Sequence, residues 1–235
     1  MTFFNPAEPI LRRKQEDLDT QDRFGLLNLR LSWGGRIFFA SDYSRIDQIS
    51  LLWGAIAAAI FITAQFAPIS WHFQATVWTV LSIVGLIGTA VLAHFWVKVE
   101  RLEWLLYSWI ALAALGVALT DGAIFFGWGW LLMYVCQLWL GLGAMGYFLL
   151  GFGVRSRALC LAGCLHLLGI GLLWFVPTWQ FLATGLVMAV NSFAIAETQW
   201  DMRPPLADYA CLSAEERAFN QLQFQRRQTA SSRSL

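Results

Sequence analysis

Five stretches of this chain consist almost wholly of apolar residues: 49–66, 73–97, 104–152 with one interruption, 158–175 and 181–196. A bilayer's hydrocarbon core needs about 20 such residues per helical crossing, within a range of about 17 to 25. The stretch 104–152 is therefore long enough for two crossings. Because hydrocarbon offers backbone groups no hydrogen-bond partner, the crossings must be helices or a closed barrel, and runs of this length select helices. The sequence predicts an all-α integral membrane protein with six transmembrane helices in three hairpins, at about 49–67, 73–97, 104–126, 130–152, 158–175 and 181–197. Composition agrees: 13% of residues are charged, against about 25% in soluble domains.

Orientation follows from the basic residues. Arg12, Arg13, Lys14, Arg23, Arg30, Arg36 and Arg45 precede the first run, Lys98 and Arg101 lie between the second and third, and Arg155 and Arg157 between the fourth and fifth. Arg203, Arg217, Arg226, Arg227 and Arg233 follow the sixth, and the alternate loops carry none of the 16. Basic loops stay on the cytoplasmic side during insertion, so both termini are expected there, or in the stroma if the membrane is a thylakoid. Residues 1–48 hold seven acidic groups beside their seven basic ones, which is unlike a cleaved signal. Tryptophan favours the headgroup level. Trp53, Trp96, Trp104 and Trp200 fit the inner boundary and Trp71, Trp128, Trp130, Trp174 and Trp179 the outer one, whereas Trp33, Trp78, Trp109 and Trp139 fit neither.

Two phrases, "PISWHFQAT" at 68–76 and "PTWQFLAT" at 177–184, recur at outer turns. Proline ends the outgoing helix, tryptophan anchors the turn and the remainder starts the returning helix. They are either a duplicated hairpin or two independent solutions to one requirement. Duplicated units would insert in the same orientation, unlike the inverted repeats of many transporters. A middle copy is expected about halfway, at "FFGWGW", which puts the third outer turn near 127–129. The rival turn Thr120-Asp121-Gly122 is the better local signal but divides the run unevenly.

Ionisable groups at depth are functional candidates by default. His166 stands about 12 Å below the inner surface, with Ala162, Gly163 and Gly169 on its face. It reads either as an interhelical hydrogen-bonding group or as a haem or chlorophyll ligand. His94, one turn before Lys98, reads as interfacial or as a second tetrapyrrole ligand, although its depth differs from that of His166 by about 6 Å. Asp121 is either a helix cap or, with the later turn, a group inside the third span. Together with Gln65, Gln74, Gln137 and Asn191 it offers a polar path for a small solute.

Other chemistry is absent from the pattern. Cys136, Cys160, Cys164 and Cys211 form no CxxC pair, so neither a disulfide framework nor a metal site is expected. No HExxH, no nucleotide-binding glycine loop and no catalytic motif occurs, and a net charge of +1 argues against nucleic acid. The glycines of "GLGAMGYFLLGFG" read as helix-contact positions.

Residues 24–39 mix apolar side chains with arginine, as expected for an interfacial segment on anionic lipid. Residues 5–23 are expected to be mobile. The tail 198–235 should hold a short helix opened by a Ser213/Glu216 capping box, running to about Arg227 with Phe219 and Leu222 on one stripe.

These features predict a non-enzymatic accessory or assembly component of a membrane complex, in contact with lipid and with other membrane proteins. A small-solute or ion permease is the alternative, and a haem- or chlorophyll-binding membrane protein the third reading. Fourteen arginines against two lysines and the tryptophan-rich texture fit a bacterial inner membrane, or a thylakoid membrane.

Overall fold

The computed structural model describes residues 3–5, 9–14, 18–204 and 210–232. Of the described residues, 72% are helical. In order the elements are β1 (Leu11–Arg13), α1 (Thr20–Arg23), β2 (Leu27–Trp33), β3 (Arg36–Tyr43), α2 (Arg45–Phe66), α3 (Trp71–Val99), α4 (Glu103–Phe125), α5 (Gly129–Leu132), α6 (Val135–Val154) and α7 (Arg157–Leu173), then a 3-10 turn (Pro177–Trp179), α8 (Gln180–Glu197), β4 (Thr198–Trp200) and α9 (Ala214–Ser232).

Five of these helices, α2, α3, α4, α6 and the 21-residue segment ending in α8, are long and apolar enough to cross a membrane. The sixth apolar helix, α7, has 17 residues. Side chains such as Val91, Leu168 and Leu186 stand exposed along their outer faces, which is the normal solvation of a helix by lipid.

Local sequence sets the helix ends. Ser44 opens α2 with a reciprocal box: its hydroxyl accepts from Asp47 N at 3.3 Å, and the Asp47 carboxylate accepts from Ser44 N at 2.9 Å. Ser70 caps α3 through Phe73 N and Ser156 caps α7 through Leu159 N. Such caps satisfy donors left over at a helix start. The two basic connections each turn on a left-handed arginine, Arg101 (φ 55°) and Arg155 (φ 57°).

Helices α2, α3, α4, α6, α7 and α8 pack as a ring in chain order, closed by α8 against α2, the most extensive helix pair. Glycines make that closure possible. A Cβ on Gly54 would stand 2.7 Å from the Phe193 ring, and one on Gly185 only 2.6 Å from Phe61 Cβ, so each helix lends the other a socket for a phenylalanine. Along α6, Gly143, Gly146, Gly151 and Gly153 receive His166, Trp109, Cys160 and Leu105 at similarly short range. Small residues allow backbones in lipid this approach, and dispersion then holds the pair.

The repeated phrases meet. Phe66 and Trp179 lie 6.0 Å apart between ring centroids, Trp71 and Phe181 5.5 Å. Gln65 joins the two turns, its amide donating to Thr178 O at 3.1 Å and its carbonyl accepting from Leu182 N at 3.2 Å. The third turn occupies Phe126–Trp128, with Gly127 at φ 70°, so Thr120, Asp121 and Gly122 belong to the interior of α4. The fourth apolar helix does not begin at 130: the single turn α5 comes first, and α6 starts at Val135.

At the end of the bundle that carries both termini, the structure departs from an all-α chain. Strand β1 pairs antiparallel with β4, Leu11 opposite Trp200, and β2 with β3, Leu27 opposite Tyr43. Residues 24–39 thus contribute to a β-hairpin, turned by Gly34 (φ 58°) and Gly35 (φ 80°). The described part of 5–23 is not loose. Thr20 N donates to Asn220 Oδ1 at 2.8 Å, the Asn220 amide to Gln21 Oε1 at 2.9 Å, and the Gln21 amide to Glu100 Oε1 at 3.0 Å. Arg227 grips Asp19 bidentately at 3.0 and 3.1 Å. The Ser213/Glu216 box is present, but α9 runs past Arg227 to Ser232. Among its described side chains the buried ones are the polar Asn220 and Gln223, with Phe219 and Phe224 half-buried beside them and Leu222 exposed.

Candidate functional site

Inside the ring lies a row of cavities with shared walls. The middle one, about 70 Å³, is bordered by Trp109, Trp139, Gly143, Tyr147, His166 and Ser192. A second, about 120 Å³ and nearer the termini, shares Trp53, Trp109, Tyr147 and Ser192 with it. A third, about 30 Å³ at the far end, shares Ser82 and Trp139 with the middle one and carries Asp121.

His166 is the ionisable group of the middle cavity and is 1% exposed. Its Nδ1 lies 2.9 Å from Ala162 O. A carbonyl only accepts, so the proton sits on Nδ1 and Nε2 keeps its lone pair. The Asn191 Nδ2 lies 3.3 Å from the same Nδ1; with the Nδ1 proton directed at Ala162 O this is a packing contact between two donors rather than a hydrogen bond. The Tyr147 ring packs 5.0 Å from the imidazole, and its hydroxyl pairs with Ser192 Oγ at 3.3 Å. His166, Asn191, Tyr147 and Ser192 thus form a polar cluster from three helices in an otherwise apolar lumen.

That geometry bears on a tetrapyrrole. The α6 backbone closes on the ring edge, since a Cβ on Gly143 would meet His166 Cδ2 at 2.7 Å and Nε2 at 3.0 Å. A cavity of about 70 Å³ is also far too small for a macrocycle. A macrocycle would require helices to part. His94 is exposed on α3 and lines none of these three cavities, so no bis-histidine pair is assembled.

The other polar candidates are dispersed. Asp121 is half-buried and accepts from Thr79 Oγ1 at 2.7 Å. Gln74, buried, donates to Ile69 O at 2.9 Å, and Gln65 binds the opposite turn, so both hold turns together. Gln137 keeps a buried Oε1 without a partner. Asn191 belongs to His166. Among the described residues no group of three His, Cys, Asp or Glu side chains is arranged to hold a metal ion. Cys160 and Cys164 are half-buried and exposed respectively.

Comparison with protein-family models, with curated proteins and with solved structures finds no match.

Two of the tryptophans expected at the inner boundary bond within the fold: Trp53 donates to Thr89 Oγ1 at 2.8 Å and Trp96 to Asp22 Oδ1 at 3.2 Å. Trp78 donates to Thr63 Oγ1 and Trp139 to Thr120 Oγ1, both at 3.0 Å. A threonine at contact depth on the neighbouring helix was the available signal, but helix pairing had to be known before it could be used. Trp33 stands at the tip of the β2–β3 hairpin, 82% exposed.

Proposed function

We propose that the protein is a non-enzymatic accessory or assembly component of a membrane complex, with six membrane-crossing helices and both termini in the cytoplasm. At 17 residues, α7 is about 26 Å long, close to the roughly 30 Å hydrocarbon thickness. Every lysine and arginine lies in the tails or in the two connections on their side, which supports this orientation. A bacterial inner membrane suits that arrangement, with a thylakoid membrane as the second setting.

One observation carries the reading: the β2–β3 hairpin. Leu27, Leu29, Leu31 and Trp33 alternate along one strand, Leu27 opposite Tyr43 and Leu31 opposite Phe39, and Ile37 and Phe38 add apolar surface near the tip. Leu31, Ile37 and Phe38 are 66, 64 and 72% exposed. A lone two-stranded hairpin is marginally stable in water, and its two outer edges offer backbone donors and acceptors. Hydrocarbon cannot satisfy those edges, whereas a strand or loop of another protein can. The base of the hairpin is tied to its neighbours, Lys14 Nζ donating to Asp42 O and Gln48 Nε2 of α2 to Gly25 O, both at 2.9 Å. The polar residues that a permease would need are instead spread over separate turns and contacts.

The test is affinity capture in mild detergent of wild type and of Trp33→Ser with Phe38→Ser. The proposal expects a stoichiometric membrane-protein partner that is lost in the double variant, with thermal stability unchanged. A wild-type protein that repeatedly comes down alone, or a partner retained by the variant, refutes it. Shielding of Trp33 from an aqueous quencher in protein-free lipid vesicles would make the hairpin a lipid anchor instead.

A further inference from the structure

The lumen contains one donor that the surrounding sequence does not satisfy. Trp53, Trp78, Trp96 and Trp139 each donate their indole N–H to a neighbouring side chain. Trp109 Nε1 is buried, and among the described residues no acceptor reaches it. Its ring is not free to turn away. It is wedged over Gly146, where a Cβ would come within 2.5 Å of Trp109 Cζ3, and meets Tyr147 edge-on at 5.8 Å. The indole separates the two larger cavities and borders both.

A buried N–H without an acceptor costs free energy comparable to a lost hydrogen bond, and here the backbone geometry fixes it in place. The walls around it say what can supply the acceptor. Trp53, Trp109 and Tyr147 offer flat aromatic faces, Trp96 and Trp200 continue them toward the termini, and neither cavity is lined by a Lys, Arg, Asp or Glu side chain. An ionic ligand would therefore be buried unpaired, whereas a neutral planar one is matched by the surface.

We infer that the lumen between α2, α3, α4, α6 and α8 is a binding site for a neutral, ring-bearing lipid whose carbonyl oxygen accepts the Trp109 Nε1 hydrogen bond. Quinone-type or other conjugated ketone lipids have this chemistry. The Tyr147–Ser192 hydroxyl pair borders the same space and offers a second polar contact. The site stands apart from the hairpin, so its failure would leave the accessory role untouched.

The purified full-length chain in dodecylmaltoside is titrated with decylbenzoquinone and, in parallel, with decylbenzene, which has the ring and chain but no carbonyl. Saturable binding of the quinone above micellar partitioning, not matched by decylbenzene, is expected. Trp109→Phe should weaken it roughly tenfold, the loss of about one hydrogen bond. Trp104→Phe, at an exposed position of the same helix that borders neither cavity, should leave it unchanged. Leu106→Trp, which fills the cavity nearer the termini, should abolish it. No saturable binding by the wild type, equal binding of decylbenzene, or unchanged binding in Trp109→Phe overturns the inference. If Trp109→Phe does not fold, retained binding in Leu106→Trp overturns it.

Discussion

Asp201 lies beyond α8 yet closes the start of α7. Its carboxylate, 1% exposed, accepts from Ser156 Oγ and Ala158 N at 3.1 Å on one oxygen, and from Arg157 N at 3.2 Å and Arg157 Nε at 2.8 Å on the other. It therefore meets donors that a helix start leaves over and neutralises a guanidinium there. Asp201→Ala would strand these donors in a buried place. Breaking one partner of a buried pair costs about 3–5 kcal/mol, and since the Arg157 side chain keeps 26% of its surface in contact with solvent, the lower half of that range is expected. Asp201→Asn, which keeps an acceptor but loses the charge, should cost about 1–2 kcal/mol. Reversible unfolding by sodium dodecyl sulfate in mixed micelles measures both. Fraying of α7 gives an independent readout, because Cys160 lies in its first turns and should react faster with maleimide in the alanine variant. A loss below about 1 kcal/mol with Cys160 labelling unchanged would show that α7 does not depend on this cap.

Burial, with Asp19 and Glu100 close by, pushes the Asp22 carboxyl up to about 7, against the Trp96 hydrogen bond that lowers it. The folded state therefore holds a proton that the unfolded state has lost, so stability is greatest below about pH 4, falls as pH rises toward 7 and then levels. The span is at most about 4 kcal/mol, less because Asp22 keeps some solvent contact, and Asp22→Asn should flatten this part of the pH profile in thermal unfolding. Gly185→Ala should lose about 1–3 kcal/mol through overpacking against Phe61 Cβ, whereas Gly171→Ala, with open space around it, should be nearly neutral in the same unfolding assay. On a background lacking the native cysteines, Phe126→Cys should react with an impermeant thiol reagent from outside intact cells and Glu103→Cys should not; the reverse pattern would invert the proposed orientation.

The apolar helices and the charge asymmetry were legible in the sequence because they depend on local properties: run length against a slab of fixed thickness, and arginines that are costly to carry across it. The expected middle copy at "FFGWGW" and length balance together put the third turn past Asp121, and α4 continues to Phe125. The β2–β3 hairpin was legible too, in the alternation Leu27, Leu29, Leu31, Trp33 followed by Gly34-Gly35, but the mixed composition of 24–39 drew attention to lipid instead. Other features had no local signature. In lipid the packed and the solvated faces of a helix are both apolar, so periodicity does not say which face meets a neighbour. That Phe61 enters Gly185, that Trp53 finds Thr89, that Gln65 clasps the turn at Thr178 and that Trp109 is left without an acceptor are decided only when the ring closes. The described part of 5–23 is held rather than mobile for a related reason. Asp19 and Arg227, or Gln21 and Asn220, look like ordinary solvated polar residues until the fold brings them together across about two hundred residues of chain, and only then does burial make their pairing obligatory.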